Sequence, residues 1–363
     1  MTTSETGPGH RAAPAPGWPA ARRRALRLAA GMALLALIAA GCSSARAGSQ
    51  AGSPASGGTS SAGTTDVSQV TLHVGDQAGS GAEALLTAAG LIGKLPFKVT
   101  WSDFTSGPPM LQAMAGGAVD IGSVGNAPPV FAAAGGDNLA IVGAFQANPR
   151  GTALLVPKNS TIHSVAQLRG KRIAVAQGSS SDYHLLTVLK KAGLSVHDVT
   201  LDYLQPAEGL AALSSGHVDA WDVWSPFVEQ AEGQAHAHAL VTGAGYGSPY
   251  SFTVAARGAL ADPAKAAAIR DYLKLLNQAH AWAATHQAAW AAVWAKATGL
   301  PPGIMTKATA DDSAVAVPIT PAVITSEQQV SDAFTAAGLI PGHVDFSKFA
   351  VTSFNAVVGG ASS

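Results

Sequence analysis

The run Gly170-Lys171-Arg172-Ile173-Ala174-Val175-Ala176-Gln177-Gly178-Ser179-Ser180-Ser181-Asp182 decides the fold. Its apolar centre, residues 172–176, is short and bounded by glycines, which reads as a buried strand. Gly178 and three serines break it, and residues 182–192 follow as a helix closed by Gly193. The same strand, loop and helix recur on both sides. Upstream, strand 70–74 runs through Gly75-Asp76-Gln77-Ala78-Gly79-Ser80-Gly81 into helix 82–89, and strand 97–101 leads through Thr105-Ser106-Gly107-Pro108-Pro109 into helix 110–115. Strand 118–122 then passes Gly125-Asn126-Ala127-Pro128-Pro129 into a helix ending near Ala134, and strand 139–143 follows. Downstream come strands 153–157, 199–203 and 218–224, with helices 164–168 and 206–214 and a helix through Glu232. This alternation predicts an α/β fold built on parallel sheets. Strand 250–256 precedes long Ala-rich helices over 263–296, broken near Thr285, and shorter helical segments reach about Asn355 before a frayed end at 359–363.

The chain has 363 residues, room for about two domains. Hydrophobic residues make up 47% and charged residues 12%, a balance that excludes overall disorder. Net charge is +0, which excludes a nucleic-acid binder by charge. One cysteine excludes an internal disulfide framework and Cys-rich metal sites. The neutrality hides an asymmetry: residues 1–42 carry five basic residues and one acidic, leaving 17 basic and 21 acidic residues in 43–363.

That basic excess introduces an export signal. Arg22-Arg23-Arg24 and Arg27 precede the apolar run 28–40, whose 13 residues fall short of the roughly 20 a spanning helix needs. The run closes on Ile38-Ala39-Ala40-Gly41-Cys42, which resembles a bacterial lipobox, with Ala39 standing where Leu, Val or Ile is commoner. Residues 1–42 are therefore expected to be a lipoprotein signal peptide with Cys42 as lipid anchor. Arg23-Arg24 matches a twin-arginine signal only loosely. Residues 43–66, nearly all Ser, Gly, Ala and Thr, are expected to form a flexible tether, with folded structure from about Val67.

Helix starts marked by Ser, Asn or Gly ahead of Pro recur at one end of successive strands, after Ser106-Gly107, Asn126-Ala127, Ser179-Ser180 and Trp224-Ser225. Each start offers backbone N–H donors and about half a positive charge. Carboxyl ends of parallel strands face one crevice. The repetition points to an anion site with serine and asparagine donors, and with Trp221 and Trp224 as an apolar wall. One such serine alone is more often a helix cap than a ligand.

The order and spacing of these motifs are similar to those of the substrate-binding proteins of ABC importers for aliphatic sulfonates, a branch that includes taurine, nitrate and thiamine-precursor binders. The stretches that carry the likeness are Ser106-Gly107-Pro108-Pro109-Met110-Leu111, Gly125-Asn126-Ala127-Pro128-Pro129-Val130-Phe131-Ala132, Gly170 to Val175 with Gly178 to Ser181, Tyr203-Leu204-Gln205-Pro206-Ala207, Gly216 to Trp221, Trp224-Ser225-Pro226-Phe227, and Ser251-Phe252 with Ala255-Ala256-Arg257. The resemblance covers roughly residues 70–354. It implies a two-lobed, type II periplasmic-binding-protein clamshell, with lobe one over 67–150 plus 252–363 and lobe two over 151–251. By the same likeness Gln77, Ser106, Asn126, Ser179, Ser180, Ser181, Trp224 and Ser251 line the ligand cleft.

The expected function is then a lipid-anchored monomeric receptor, exported to the outer face of the cytoplasmic membrane or to a periplasm. It would capture a small sulfonate by hinge closure and dock on an ABC permease, with no cofactor and no metal. Taurine, nitrate, bicarbonate or a pyrimidine precursor are alternative ligands. A sulfinate-cleaving enzyme of related fold relies on a cysteine nucleophile, and the sole cysteine here, Cys42, lies outside the folded region. Two residues depart from the family pattern: Ser225 replaces an acidic residue and Asp222 a small or apolar one. Facing the cleft, Asp222 would disfavour an anion or select an amine; facing the lobe interior it would be inert. His184 is placed either at the cleft or on a plain helix face. His236 and His238 read as a solvated pair, and Trp282, Trp290 and Trp294 as a core stripe.

Overall fold

The computed structural model describes residues 65–77 and 81–358. The expected signal peptide, the Cys42 anchor, nearly all of the tether, the loop 78–80 and the end 359–363 lie outside the described residues.

The chain builds β1 (Thr71–Gln77), α1 (Ala82–Ala88), β2 (Lys98–Phe104), α2 (Gly107–Ala115), β3 (Ile121–Val124), α3 (Ala127–Ala134) and β4 (Leu139–Ala147). A short 3-10 turn over Pro149–Gly151 leads into β5 (Thr152–Val156), followed by β6 (Arg172–Val175), α4 (Ser180–Lys191), β7 (Thr200–Tyr203) and α5 (Pro206–Ser214). Next come β8 (Ala220–Trp224), α6 (Phe227–Gln234), β9 (His238–Thr242) and β10 (Tyr250–Ala256). The last part is mainly helical: α7 (Arg257–Ala261), α8 (Pro263–Thr285), α9 (Gln287–Thr298), α10 (Pro302–Asp311), β11 (Ala314–Val317) and α11 (Pro321–Ala336), then two 3-10 turns.

These strands form two sheets. One has the order β11-β4-β10-β3-β1-β2, the other β7-β6-β8-β5-β9. Both are mixed, which corrects the expectation of parallel sheets. β1 pairs in parallel with β2 and β3, and β6 with β7 and β8. β10 instead runs antiparallel to β3 and β4, and β5 antiparallel to β8 and β9. The physical reason is connectivity. A parallel neighbour needs a crossover helix; β5 enters its sheet straight from β4, and β10 re-enters the first sheet straight from β9, with no helix between. The short strands β9 and β11 lie in stretches that showed no alternation strong enough to read. No helix among the described residues is long and apolar enough to cross a membrane.

Alternation along the strands assigns the faces. In β1, Leu72 and Val74 pack on α1, α8 and α9, alongside Leu85, Leu86, Tyr272 and Leu276. The opposite face receives α2, whose Met110 side chain lies where a Cβ on Gly75 or Gly122 would stand, 2.6 Å away in each case. A methyl at either glycine would push α2 off the sheet. That contact fixes the height of α2 and the loop before it, and so one wall of the site. Trp221 fills a separate core under α5, where a Cβ on Gly209 would meet its indole Nε1 at 2.5 Å.

Candidate functional site

A cavity of about 460 Å³ lies between the two sheets and is lined from both. It sits at the carboxyl ends of β1, β3 and β8 and is closed by the connecting segments around Asn148–Thr152 and Gly243–Ser251. Gln77, Asn126, Ser179, Ser180, Trp224 and Ser251 all line it. Ser106 and Ser181, expected beside them, are fully buried next to the wall rather than on it.

Asp76 holds Gln77 in place. Its carboxylate accepts from the N–H groups of Gln77 (2.8 Å), Ala82 (2.9 Å) and Glu83 (3.0 Å), which ties the first turn of α1 to the end of β1. Gln77 Nε2 in turn donates to the Ser123 carbonyl at 2.6 Å, tying β1 to β3 at the cavity. Burial, then the charge of Asp76, raises the Glu83 carboxyl above its ordinary value.

The helix starts are arranged in two ways. At α2 and α3 neither Ser106 nor Asn126 caps its helix through the side chain. A first turn ordinarily leaves four N–H groups without intrahelical partners. Pro108, Pro109, Pro128 and Pro129 remove two donors from each turn. What remains are the N–H groups of Ser106, Gly107, Asn126 and Ala127, and Gly107 and Asn126 stand on the cavity wall. At α4, by contrast, Ser179 is a cap: its hydroxyl accepts from Asp182 N at 3.3 Å, while Asp182 Oδ2 accepts from Gly178 N at 2.8 Å. Burial pushes the Asp182 carboxyl up to about 7, against the Gly178 hydrogen bond.

Two of the remaining side chains bridge the sheets. Ser106 Oγ and Thr105 Oγ1 both donate to Gln205 Oε1, at 2.8 and 2.9 Å, across to the start of α5. This is why Ser106 leaves the wall. Asn126 Nδ2 donates to the Ser248 carbonyl at 3.3 Å, and its Oδ1 is buried with no hydrogen-bond partner.

The Asp222 question resolves inward. The carboxylate is wholly buried and meets His184 Nδ1 at 2.8 and 3.0 Å. Burial pulls the His184 ring down, but the charge and hydrogen bond of Asp222 outweigh it and hold the ring above its ordinary value. Burial raises the Asp222 carboxyl, opposed by His184 and by the Ser181 hydroxyl. His184, not Asp222, lines the cavity. Asp222 is therefore neither an amine selector nor inert; it orients a wall residue. Ser225 likewise turns inward, donating to Glu229 Oε1 at 2.9 Å.

The two tryptophans expected as a pair separate. Three residues apart on one strand, Trp221 and Trp224 face opposite sides of β8, so Trp221 enters the core and only Trp224 reaches the cavity. Trp224 packs edge-on against Phe227 at 6.0 Å. The tryptophans form the expected core stripe: Trp290 and Trp294 are buried in the core over β1 with Trp282 packed against it, and Trp290 and Trp294 also border the cavity, along with His280 and Tyr183. Their helical spacing was visible in sequence, but nothing there showed that the stripe also borders a cavity. His236 and His238 are exposed, and no group of three potential metal ligands occurs among the described residues.

Among the described residues, the cavity wall carries no lysine or arginine. The one carboxyl among those described, Asp312, is pushed well above its ordinary range by burial and then by the charge of Glu229. Burial draws His280 down to about 4, so it is neutral near pH 7. The wall thus offers neutral donors, helix starts and one Asp222-paired histidine.

Residues 105–289, about half of the chain, match the NMT1/THI5-like family. The chain is 35% identical over 277 residues to the putative aliphatic sulfonates-binding protein of Escherichia coli K12, covering 76% of this chain and 86% of that one. It superposes on the alkanesulfonate-binding protein of Xanthomonas axonopodis pv. citri, solved bound to MOPS, with a TM-score of 0.73 and 33% identity over 77% of this chain and 98% of the other. The periplasmic aliphatic sulphonate-binding protein of E. coli gives 0.69 and 34%, over 77% and 91%. Two mixed sheets, a cavity between them and these likenesses make the chain a member of the NMT1/THI5-like family, in its branch of two-lobed sulfonate-type binding proteins rather than enzymes.

Proposed function

We propose that this protein is the solute receptor of an ABC importer and that it captures an organosulfonate between its two sheets. The observation that carries the reading is the cavity wall, where helix starts and neutral donors converge from both sheets with no lysine or arginine among the described residues. A sulfonate suits such a wall. It stays a monoanion at physiological pH and accepts through three oxygens. Hydrogen bonds to a charged acceptor are the stronger kind, and a buried ion pair gains little once desolvation is counted. Micromolar affinity needs about 8 kcal/mol, within reach of a few such bonds and one indole contact. A cavity of about 460 Å³ is far roomier than nitrate requires, which favours an organic anion.

Capture proceeds by closure of lobe one, 67–150 plus 252–363, on lobe two, 151–251, about the crossings near Arg150 and Tyr250. The contacts from Thr105 and Ser106 to Gln205, and the ion pair of Lys307 with Glu232, latch the closed form. The closed form then docks on the permease. Lipidation at Cys42 and the tether 43–66 hold the receptor at the outer face of the cytoplasmic membrane.

A thermal-shift panel on the full chain tests the ligand class, with alkanesulfonates of several lengths, taurine, sulfate, nitrate and bicarbonate. A ligand at a hundred times its Kd adds about 2.7 kcal/mol. Alkanesulfonates should raise the Tm and nitrate should not. A rise with nitrate or bicarbonate alone would overturn the assignment.

A further inference from the structure

Asp312 sets an acid on the wall of an anion cavity. It is half-buried and is the one carboxyl that the described residues bring to that wall. Its backbone N–H donates to the Ala308 carbonyl at 2.8 Å, and it caps α10 at the carboxyl end of the helix. Such an end carries about half a negative charge and disfavours a carboxylate. Asp312 Oδ1 lies 3.0 Å from where a Cβ on Gly151 would stand, in the turn by which the chain passes from one sheet to the other.

The charges around Asp312 act in the same direction. Burial, then the charge of Glu229 on α6, pushes its carboxyl well above the ordinary range. On α10 itself Asp311 is acidic, and Lys307 is engaged by Glu232 and, at 3.9 Å, by Asp311. Arg150, in the turn that Asp312 touches, is exposed, where water weakens its field. The other titratable groups on the described wall are Tyr183, His184, Tyr246, Tyr250 and His280. His184 is held by Asp222, and His280 is drawn down to about 4 and stays neutral. Among the described residues, no cation is left to hold Asp312 as an anion.

We propose that Asp312 is the charge gate of the cavity: it admits a sulfonate while it holds its proton and opposes one when it has lost it. The inference rests on the sulfonate reading above and deepens it, because it sets the pH range in which that ligand is captured. A cavity of about 460 Å³ is on the order of 10 Å across, and at an effective dielectric of ~20 two like charges at that separation lower an affinity by more than tenfold. Affinity is then full while Asp312 is protonated and falls as pH rises through its raised value, where binding takes up a proton.

The test is calorimetric titration of the full chain with ethanesulfonate from pH 5 to pH 9.5, on the wild type and on Asp312→Asn, which keeps the shape of the side chain and stays neutral. The wild type should lose at least tenfold in affinity across that range. Where the loss occurs, its heats should differ between buffers of low and high ionisation enthalpy. The variant should vary by no more than about twofold and at pH 9.5 should bind at least tenfold more tightly than the wild type, a gain that a damaged fold does not mimic. A wild-type affinity independent of pH, or a loss that persists in the variant and so belongs to His184, would overturn the gate alone. No heat from either protein at any pH would overturn the sulfonate reading and this inference with it.

Discussion

The hydroxyl of Ser180 lies 1.7 Å from the point that a Cβ on Gly125 would occupy. Gly125 ends the segment after β3 in the first sheet, and Ser180 opens α4 beside the second. The two halves of the molecule therefore meet closely at the cavity: a methyl on Gly125 would displace the Ser180 hydroxyl and stand 3.0 Å from Ser180 Cβ.

Gly125→Ala should hold the halves apart. Ligand affinity is expected to fall at least tenfold, while the Tm without ligand changes little, because neither core is touched. Calorimetric titration beside a melting curve checks this. Undiminished affinity would show that closure does not bring these two residues together.

The three serines of the α4 loop hold different positions and should respond differently. Ser180→Ala removes a wall hydroxyl and is expected to weaken binding with little change in stability. Ser179→Ala removes the cap on Asp182 N and should cost about 1 kcal/mol of stability. The triple Ser179, Ser180 and Ser181 to Ala change should weaken binding at least tenfold. Parallel titrations and melts of the variants separate these effects.

Asp222→Asn should move the His184 titration downward. With the carboxylate present, the ring stays above its ordinary value; with it gone, burial outweighs the remaining backbone hydrogen bond at Thr242 and pulls the ring below 6.5. A raised folded-state value means the histidine's contribution to stability is complete below 6.5 and is lost as pH rises through the folded value. The wild type should accordingly outlast the variant by more at pH 6 than at pH 9. Proton NMR of the imidazole resonances reads the titration, and an unmoved His184 resonance would refute the coupling.

Glu327 gives a slope of the same sign, beginning at lower pH. It is fully buried on α11, neither carboxyl oxygen has a hydrogen-bond partner, and burial raises it well above 4.5. The folded state binds its proton more tightly than the unfolded state, so stability falls as pH rises above 4.5. Glu327→Gln should match the wild type near pH 4 and melt higher at pH 8. Identical melting curves at pH 8 would show that the carboxyl is accommodated as an anion.

Much of this arrangement was legible in the chain. The runs around Ile173, Ile121 and Val254 gave strands because their apolar residues are short, glycine-bounded and partly β-branched. The Pro-Pro pairs at 108–109 and 128–129 gave helix starts because proline fits the first turn. What could not be read depends on contacts distant in sequence. Antiparallel insertion of β5 and β10 follows from where the chain crosses between sheets. Ser106 turns from the wall only because Gln205, 99 residues away, faces it. Trp290 and Trp294 carry the periodicity of a core stripe, and the same periodicity serves a cavity wall.

The most direct test of the central claim is calorimetric titration of the full chain with ethanesulfonate, set beside sulfate, at pH 7. The neutral wall predicts a saturable isotherm with a Kd near the micromolar range, about 8 kcal/mol, and none for the dianion sulfate at the same concentrations. Equal binding of sulfate, or no heat from ethanesulfonate at millimolar concentration, would contradict the claim that this cavity is built for an organosulfonate.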